Sequence, residues 1–249
     1  MESKSVSFWD LIAQEWAEFT ETNDYRNYFL IPETLRLLGE VKGKRILDLG
    51  CGEGGYSRIL ASKGAIVTAI DASPRLIEIA KSKGKKKNPS ITYLVKDAAS
   101  LDGISDGSFD VILAAMSLMD VEDYNNSVAE VWHVLRKGGI LLMSILHPCF
   151  ASRKSKWERD KEGNFLYLRV DNYFDKTPWK EFIHPKKFKH EVIFRHMPLQ
   201  DFINPLIALG FKLLRFHEPI PTPAQMQKSP RLLNLARVPM FLFMEWQKG

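Results

Sequence analysis

The sequence predicts an α/β fold, a doubly wound parallel sheet with helices on both faces and a cap inserted late in the chain. Three observations lead there. Apolar, strand-like runs at 45–49, 66–70, 91–95, 109–114 and 139–146 alternate with helix-patterned stretches at 55–63, 74–83 and 124–135. The first run breaks into a glycine-rich turn, Gly50-Cys51-Gly52-Glu53-Gly54-Gly55, from which a helix can follow. Gly50, Asp71, Asp97 and Ala115 all fall at the carboxyl ends of these runs, the edge at which open α/β sheets bind ligands.

The elements follow in order. Phe8, Leu11, Ile12, Trp16 and Phe19 recur at helical spacing, Thr22-Asn23-Asp24 interrupts, and Tyr25 to Leu38 resumes with Pro32 tolerable early in a helix. Gly64 is placed to end the helix after the glycine turn, and Ser73 before Pro74 to start the next. Residues 148–195 change character and become rich in charge and aromatics, with short strands expected at 165–170 and 190–194. A helix over 199–209, a strand over 211–218, a proline-marked loop over 219–230 and a strand over 239–247 complete the chain. The expected organisation is one domain: an N-terminal helical lid (1–43), a core (44–147), a cap insertion (148–195) and a closing helix with two strands (196–249).

Composition narrows the function classes. The chain has 249 residues, 45% of them hydrophobic and 26% charged, enough for one sizeable core. No apolar run is long enough to span a bilayer and Met1–Asp10 lacks a signal pattern, so a cytoplasmic protein with no membrane partner is expected. Two cysteines, Cys51 and Cys149, make neither a disulfide framework nor a zinc site by themselves, and no metal is expected. Cys51 reads as a small residue of the glycine turn, and Pro148-Cys149 as a turn with a buried thiol. The net charge of +5 does not by itself imply nucleic acid, and Lys81, Lys83, Lys85, Lys86 and Lys87 read as a solvated loop. The oligomeric state, monomer or homodimer, stays open.

The glycine run is ambiguous. Gly50, Gly52 and Gly55 satisfy the dinucleotide spacing G-x-G-x-x-G, whereas Gly50, Gly52 and Gly54 satisfy G-x-G-x-G. Asp48, two residues before the first glycine, helps to decide between them. A carboxylate there is poorly placed beside a pyrophosphate, and it suits a cationic group such as the ammonium of a methionine moiety.

Asp48-Leu49-Gly50-Cys51-Gly52-Glu53-Gly54 resembles motif I of the class I S-adenosylmethionine-dependent methyltransferases. Val67 to Asp71, Asp97-Ala98-Ala99 after Ile91 to Val95, Phe109 to Ala115, and Leu135 to Leu142 follow in that family's order, with Lys137 where the family often has proline. The resemblance implies a Rossmann-like, seven-stranded, mostly parallel sheet with an antiparallel last strand, and S-adenosyl-L-methionine as cofactor. It implies that Asp71 accepts the ribose hydroxyls and that Asp97, with the amides of Ala98 and Ala99, meets the adenine. Ala72 and Leu76 are placed beside adenine or ribose, and Ala115 and Met116 follow strand four. Tyr25 and Arg26 belong to the N-terminal segment that approaches the methionine end, Arg26 as partner of the carboxylate.

The Asn/Asp-Pro-Pro-aromatic tetrad of amino-group methyltransferases is absent after strand four. The acceptor is expected to be a small molecule, held between the cofactor and a lid of the N-terminal helices and residues 148–195, with Tyr28, Trp157, Tyr173 and Trp179 as candidate contacts. His147 and His196 are the candidate general bases, although in-line positioning alone can drive methyl transfer. Three rivals are a nicotinamide-dependent oxidoreductase, an RNA methyltransferase using the lysine cluster, and a cofactor-binding protein without catalysis.

Overall fold

A computed structural model describes residues 4–84 and 91–249. A seven-stranded sheet forms its centre, in the order β10-β11-β5-β4-β1-β2-β3. The strands are β1 (Arg45–Leu49), β2 (Ile66–Asp71), β3 (Ile91–Val95), β4 (Phe109–Ala115), β5 (Leu135–Leu146), β10 (Phe211–His217) and β11 (Phe241–Lys248). β1 pairs in parallel with both β2 and β4, and β4 with β5, so the chain order reverses between β1 and β4. β11 runs antiparallel to both of its neighbours, β5 and β10. This is the expected doubly wound α/β sheet with an antiparallel last strand.

Apolar side chains fill both faces. Leu47, Ile112, Leu141 and Trp246 lie in one core with α5 (Tyr124–Val134) and α6 (Leu199–Ala208). Ile46, Val67, Leu113 and Leu142 lie in the other with α3 (Gly55–Ser62) and α4 (Pro74–Gly84). Alternate residues of a strand point to opposite faces, so a strand covered on both sides reads as an unbroken apolar run. Local chemistry sets the helix starts. The Ser73 hydroxyl accepts from the Leu76 amide at 3.0 Å, and the Asp123 carboxylate caps α5 by accepting from Asn126 N–H.

Before the sheet, α1 (Lys4–Glu21) leads through a π-helical turn, Tyr25–Leu30, into α2 (Ile31–Leu38). α1 lies against α4, and Asp10 fastens it there by accepting from the Ser73 hydroxyl and the Arg75 N–H. The insertion contains two antiparallel pairs, β6 (Lys156–Arg159) with β7 (Phe165–Arg169), and β8 (Trp179–Glu181) with β9 (Val192–Phe194).

Three expectations need correction. β5 begins at Leu135, directly after α5, because Leu135 is already extended and pairs with Phe109 before the bulge that brings Ile140 opposite Val111. The proline-marked loop contains α7 (Pro223–Lys228), begun by a Thr222–Gln225 capping box, and a 3-10 helix, Pro230–Ala236. Proline there occupies the first turn, where its missing N–H costs nothing. Lys81 and Lys83 belong to α4 rather than to a loop, and Lys83 pairs with Glu21 at 2.8 Å. Lys85, Lys86 and Lys87 lie outside the described residues.

Candidate functional site

Over the carboxyl ends of β1, β2 and β4 lies a cavity of about 510 Å3, enclosed by α1, the post-β4 loop and the insertion. Its floor is the glycine turn. Gly50 has φ +71°, and a Cβ built on it would collide with Ser117, so only glycine fits. Ser117 in turn donates to the Leu49 carbonyl at 2.6 Å, pinning the loop after β4 to the end of β1. Met116, beside it, holds φ +56°, an unusual value for a residue with a side chain.

Two carboxylates meet at this floor. Asp48 is buried, and its Oδ2 accepts from the Ser57 hydroxyl. Burial pushes its carboxyl up to about 6, the Ser57 bond opposing and the nearby Asp71 charge adding to the rise. Asp71 accepts from Gly52 N–H at 2.8 Å and from Ser73 N–H at 2.9 Å. It too is pushed up to about 6, chiefly by burial, against the pull of those two amides.

Asp97 stands on the same wall, its Oδ1 accepting from Ala99 N–H at 2.9 Å. Tyr25, Cys51, Ala72, Leu76, Ala98 and Ala115 also line the cavity. Burial raises the Cys51 thiol well above its ordinary range, so it is no thiolate nucleophile. Arg26 reaches the wall already engaged: it donates to the buried Glu53 at 2.9 Å, and Glu53 is also held by Arg58 and, at 3.6 Å, by Lys83.

Six expected residues stand away from the cavity lining. Gly54 faces Tyr93 and Ala80, packing the turn against α4. Ala99 spends its amide on Asp97. Tyr28 is exposed beneath Lys228. Trp157 packs edge-on against Phe165 with Arg237 over its ring. The Tyr173 hydroxyl accepts from Leu199 N–H at 2.7 Å, holding the start of α6. His147 is buried, with Nδ1 accepting from Cys149 N–H and Nε2 2.9 Å from the Glu218 carboxylate. Its side chain braces the turn after β5. His196 and Trp179 do line the cavity, His196 with Nε2 2.7 Å from the Tyr173 carbonyl.

A methyltransferase domain model matches residues 47–143, the stretch that supplies this floor and the loop after β4. A methyltransferase from Mesorhizobium loti, described as S-adenosylmethionine dependent, superposes with a TM-score of 0.75 at 28% identity, covering 92% of this chain and 100% of that one. A Listeria monocytogenes protein assigned to the same class gives a TM-score of 0.75 at 27% identity over 88% of this chain and 96% of that one. The domain match and these two neighbours support a class I S-adenosylmethionine-dependent methyltransferase. The chain is also 34% identical over 108 residues to a ubiquinone biosynthesis O-methyltransferase of Xanthomonas oryzae, covering 43% of this chain and only 45% of that protein.

The floor of this methyltransferase fits its cofactor chemically. It offers carboxylate acceptors for hydroxyl and ammonium groups, a side-chain-free backbone for close approach, and no cluster among the described residues that could hold a metal. No helix among them is long and apolar enough to cross a membrane.

Sequence reasoning missed part of the wall. Trp9, Trp16 and Phe19 bring α1 over the cavity, Trp9 and Trp16 meeting edge to face at 5.3 Å. Their spacing along one helix face was the available signal. Asp120 and Arg195 complete the far wall, and neither belongs to a motif.

Proposed function

We propose that this methyltransferase acts on a small, largely apolar molecule held in the cavity between the glycine floor and the aromatic wall. In this reading Asp71 accepts the ribose hydroxyls, and Asp97 with Ala98 receives the adenine beside Leu76 and Ala72. Asp48, Gly50 and Gly52 receive the methionine part, with Arg26 as the cation for its carboxylate. S-adenosylmethionine supplies a methyl group already activated on a sulfonium. The protein's work is then to orient the acceptor in line and to exclude water, which α1 and the insertion do by covering the site.

One observation carries the reading: the carboxylate floor and the aromatic side chains Trp16, Trp179, Phe194 and Phe241 line one and the same cavity. Its volume, about 510 Å3, is that of a small-molecule site. The likeness to ubiquinone biosynthesis O-methyltransferases supports a small acceptor.

Calorimetric titration with S-adenosylhomocysteine, and separately with NADH, tests the cofactor half of this reading. Tight binding of the first and none of the second is expected, and binding of NADH alone would sink it. For the acceptor half, the protein is incubated with methyl-labelled donor and a metabolite extract, and labelled products are found by mass spectrometry. Label appearing only in RNA would overturn the small-molecule assignment.

A further inference from the structure

The glycine turn ends in a residue that its backbone does not explain. Gly55 opens α3 without a left-handed φ, so the conformation there would accept a side chain. The space would not. A Cβ built on Gly55 would collide with Arg26 Nη2 and lie 2.5 Å from Glu53 Oε1. The Arg26–Glu53 pair crosses directly over this position, and only glycine leaves it room.

Around that pair the cations outnumber the carboxylates. The buried Glu53 meets Arg26, Arg58 and Lys83, and Lys83 also meets Glu21. Three cations of this cluster thus share two carboxylates. Arg26 places one donor on Glu53 and one on the Thr20 carbonyl, out of the five that a guanidinium carries, and it lines the cavity. A third carboxylate, set in the cavity beside Arg26, would balance the cluster.

Resting on the assignment of Arg26 to the donor's carboxylate, we propose that Glu53 and Gly55 are positioning residues: Glu53 aims the Arg26 guanidinium, and Gly55 leaves it a path. Arg26 then meets the ligand in an orientation set before binding, which spares the cost of ordering a long side chain. It bridges two carboxylates, one from the glycine turn and one from the ligand. The consequence is selectivity for the amino-acid end. S-adenosylmethionine, S-adenosylhomocysteine and the truncated nucleoside 5′-methylthioadenosine share adenine and ribose, but the truncated one has no carboxylate for Arg26 to hold. The third glycine of the dinucleotide spacing thus serves a side chain from the N-terminal segment rather than a pyrophosphate.

Calorimetry on the full chain compares S-adenosylhomocysteine with 5′-methylthioadenosine. In Gly55→Ala the new methyl displaces Arg26, and in Glu53→Gln the guanidinium loses its charged anchor. In each variant S-adenosylhomocysteine affinity is expected to fall about tenfold, while 5′-methylthioadenosine affinity stays within about twofold. Thermal unfolding separates this from damage to the turn. Gly55→Ala should not lower the melting temperature, because alanine favours a helix over glycine and the group in its way is the tip of a flexible side chain. Adding Gly55→Ala to Arg26→Gln should cost no further S-adenosylhomocysteine affinity, since its effect runs through Arg26. Equal losses for both nucleosides, unchanged S-adenosylhomocysteine affinity in either variant, tighter binding in Glu53→Gln, or a further loss in the double variant overturns the proposal. Unchanged affinity in Arg26→Gln would instead strike the assignment of Arg26 on which it rests.

Discussion

The two halves of the cavity are built differently. The cofactor half comes from strand ends and one turn: Asp48, Gly50, Gly52, Asp71 and Asp97 all lie between β1 and the residues just after β3, and backbone amides hold their geometry. The acceptor half is gathered from far apart in the chain. Trp16 comes from α1, Asp120 from the post-β4 loop, Trp179 and Arg195 from the insertion, and Phe241 from the last strand. A floor made of backbone tolerates almost no change in shape. A wall made of side chains can be altered one contact at a time, which suits a surface that sets acceptor choice.

The sharpest way to break this comparison is at the floor. Gly50→Ala adds a Cβ at φ +71° against Ser117. The left-handed conformation costs about 1–2 kcal/mol and the overlap about 1–3 kcal/mol, so a loss of about 2–4 kcal/mol in stability is expected by denaturant unfolding. A near-neutral result would show that the floor is not rigid. Next in size, Asp71→Asn removes a charged acceptor and weakens S-adenosylhomocysteine binding by about 10- to 100-fold, measured by calorimetry. Retained affinity would remove Asp71 from its assigned ribose role.

The floor was more legible in the sequence than the wall for the same physical reason. A tight turn restricts residue type, so Gly50 and Gly52 mark themselves locally, and an acid at the end of an apolar run marks Asp71 in the same way. The alternation of strand and helix likewise fixed the doubly wound sheet, because each element shows its own period. Nothing local marks Asp120 or Arg195: the two segments of this wall meet through the Arg195–Glu122 pair, 73 residues apart in the chain. His147 illustrates the reverse error. It does follow a strand at the correct edge, but its ring turns into the protein toward Glu218. Sequence position gives the edge of the sheet and not the direction of the side chain. Among the four aromatics expected to hold the acceptor, only Trp179 lines the cavity.

The effect of pH separates binding from stability. Asp48 and Asp71 have values near 6 in the folded protein, above the ordinary carboxylate range. Between about pH 4 and 6 the folded state therefore binds more protons than the unfolded chain. The stability these two groups contribute is greatest below about pH 4 and is lost as pH rises through 6. Cofactor binding has the opposite sign, because both groups must ionise to act as charged acceptors. S-adenosylhomocysteine affinity is expected to fall about tenfold per carboxylate from pH 7 to pH 5, following the ionised fraction. A calorimetric pH series checks this, and a flat series would mean that neither carboxylate changes ionisation on binding.

The smallest effects lie on the wall, where two tryptophans of the insertion give a paired test. Trp179→Ala removes a ring that lines the cavity and stacks on Phe194, whereas Trp157→Ala removes one that packs on Phe165 and Arg237 outside it. Neither touches the floor, so S-adenosylhomocysteine affinity should change less than about twofold in either variant. Binding of the acceptor identified from the metabolite extract to the S-adenosylhomocysteine-loaded protein should fall about five- to tenfold in Trp179→Ala, in line with the roughly 1 kcal/mol that an aromatic contact contributes. It should be unchanged in Trp157→Ala, whose cost of about 1–2 kcal/mol appears in unfolding alone, through the lost ring and cation contacts. Equal loss of acceptor affinity in both would mean that the insertion acts on the acceptor as one rigid unit, and the division of the wall into lining and supporting aromatics would fail.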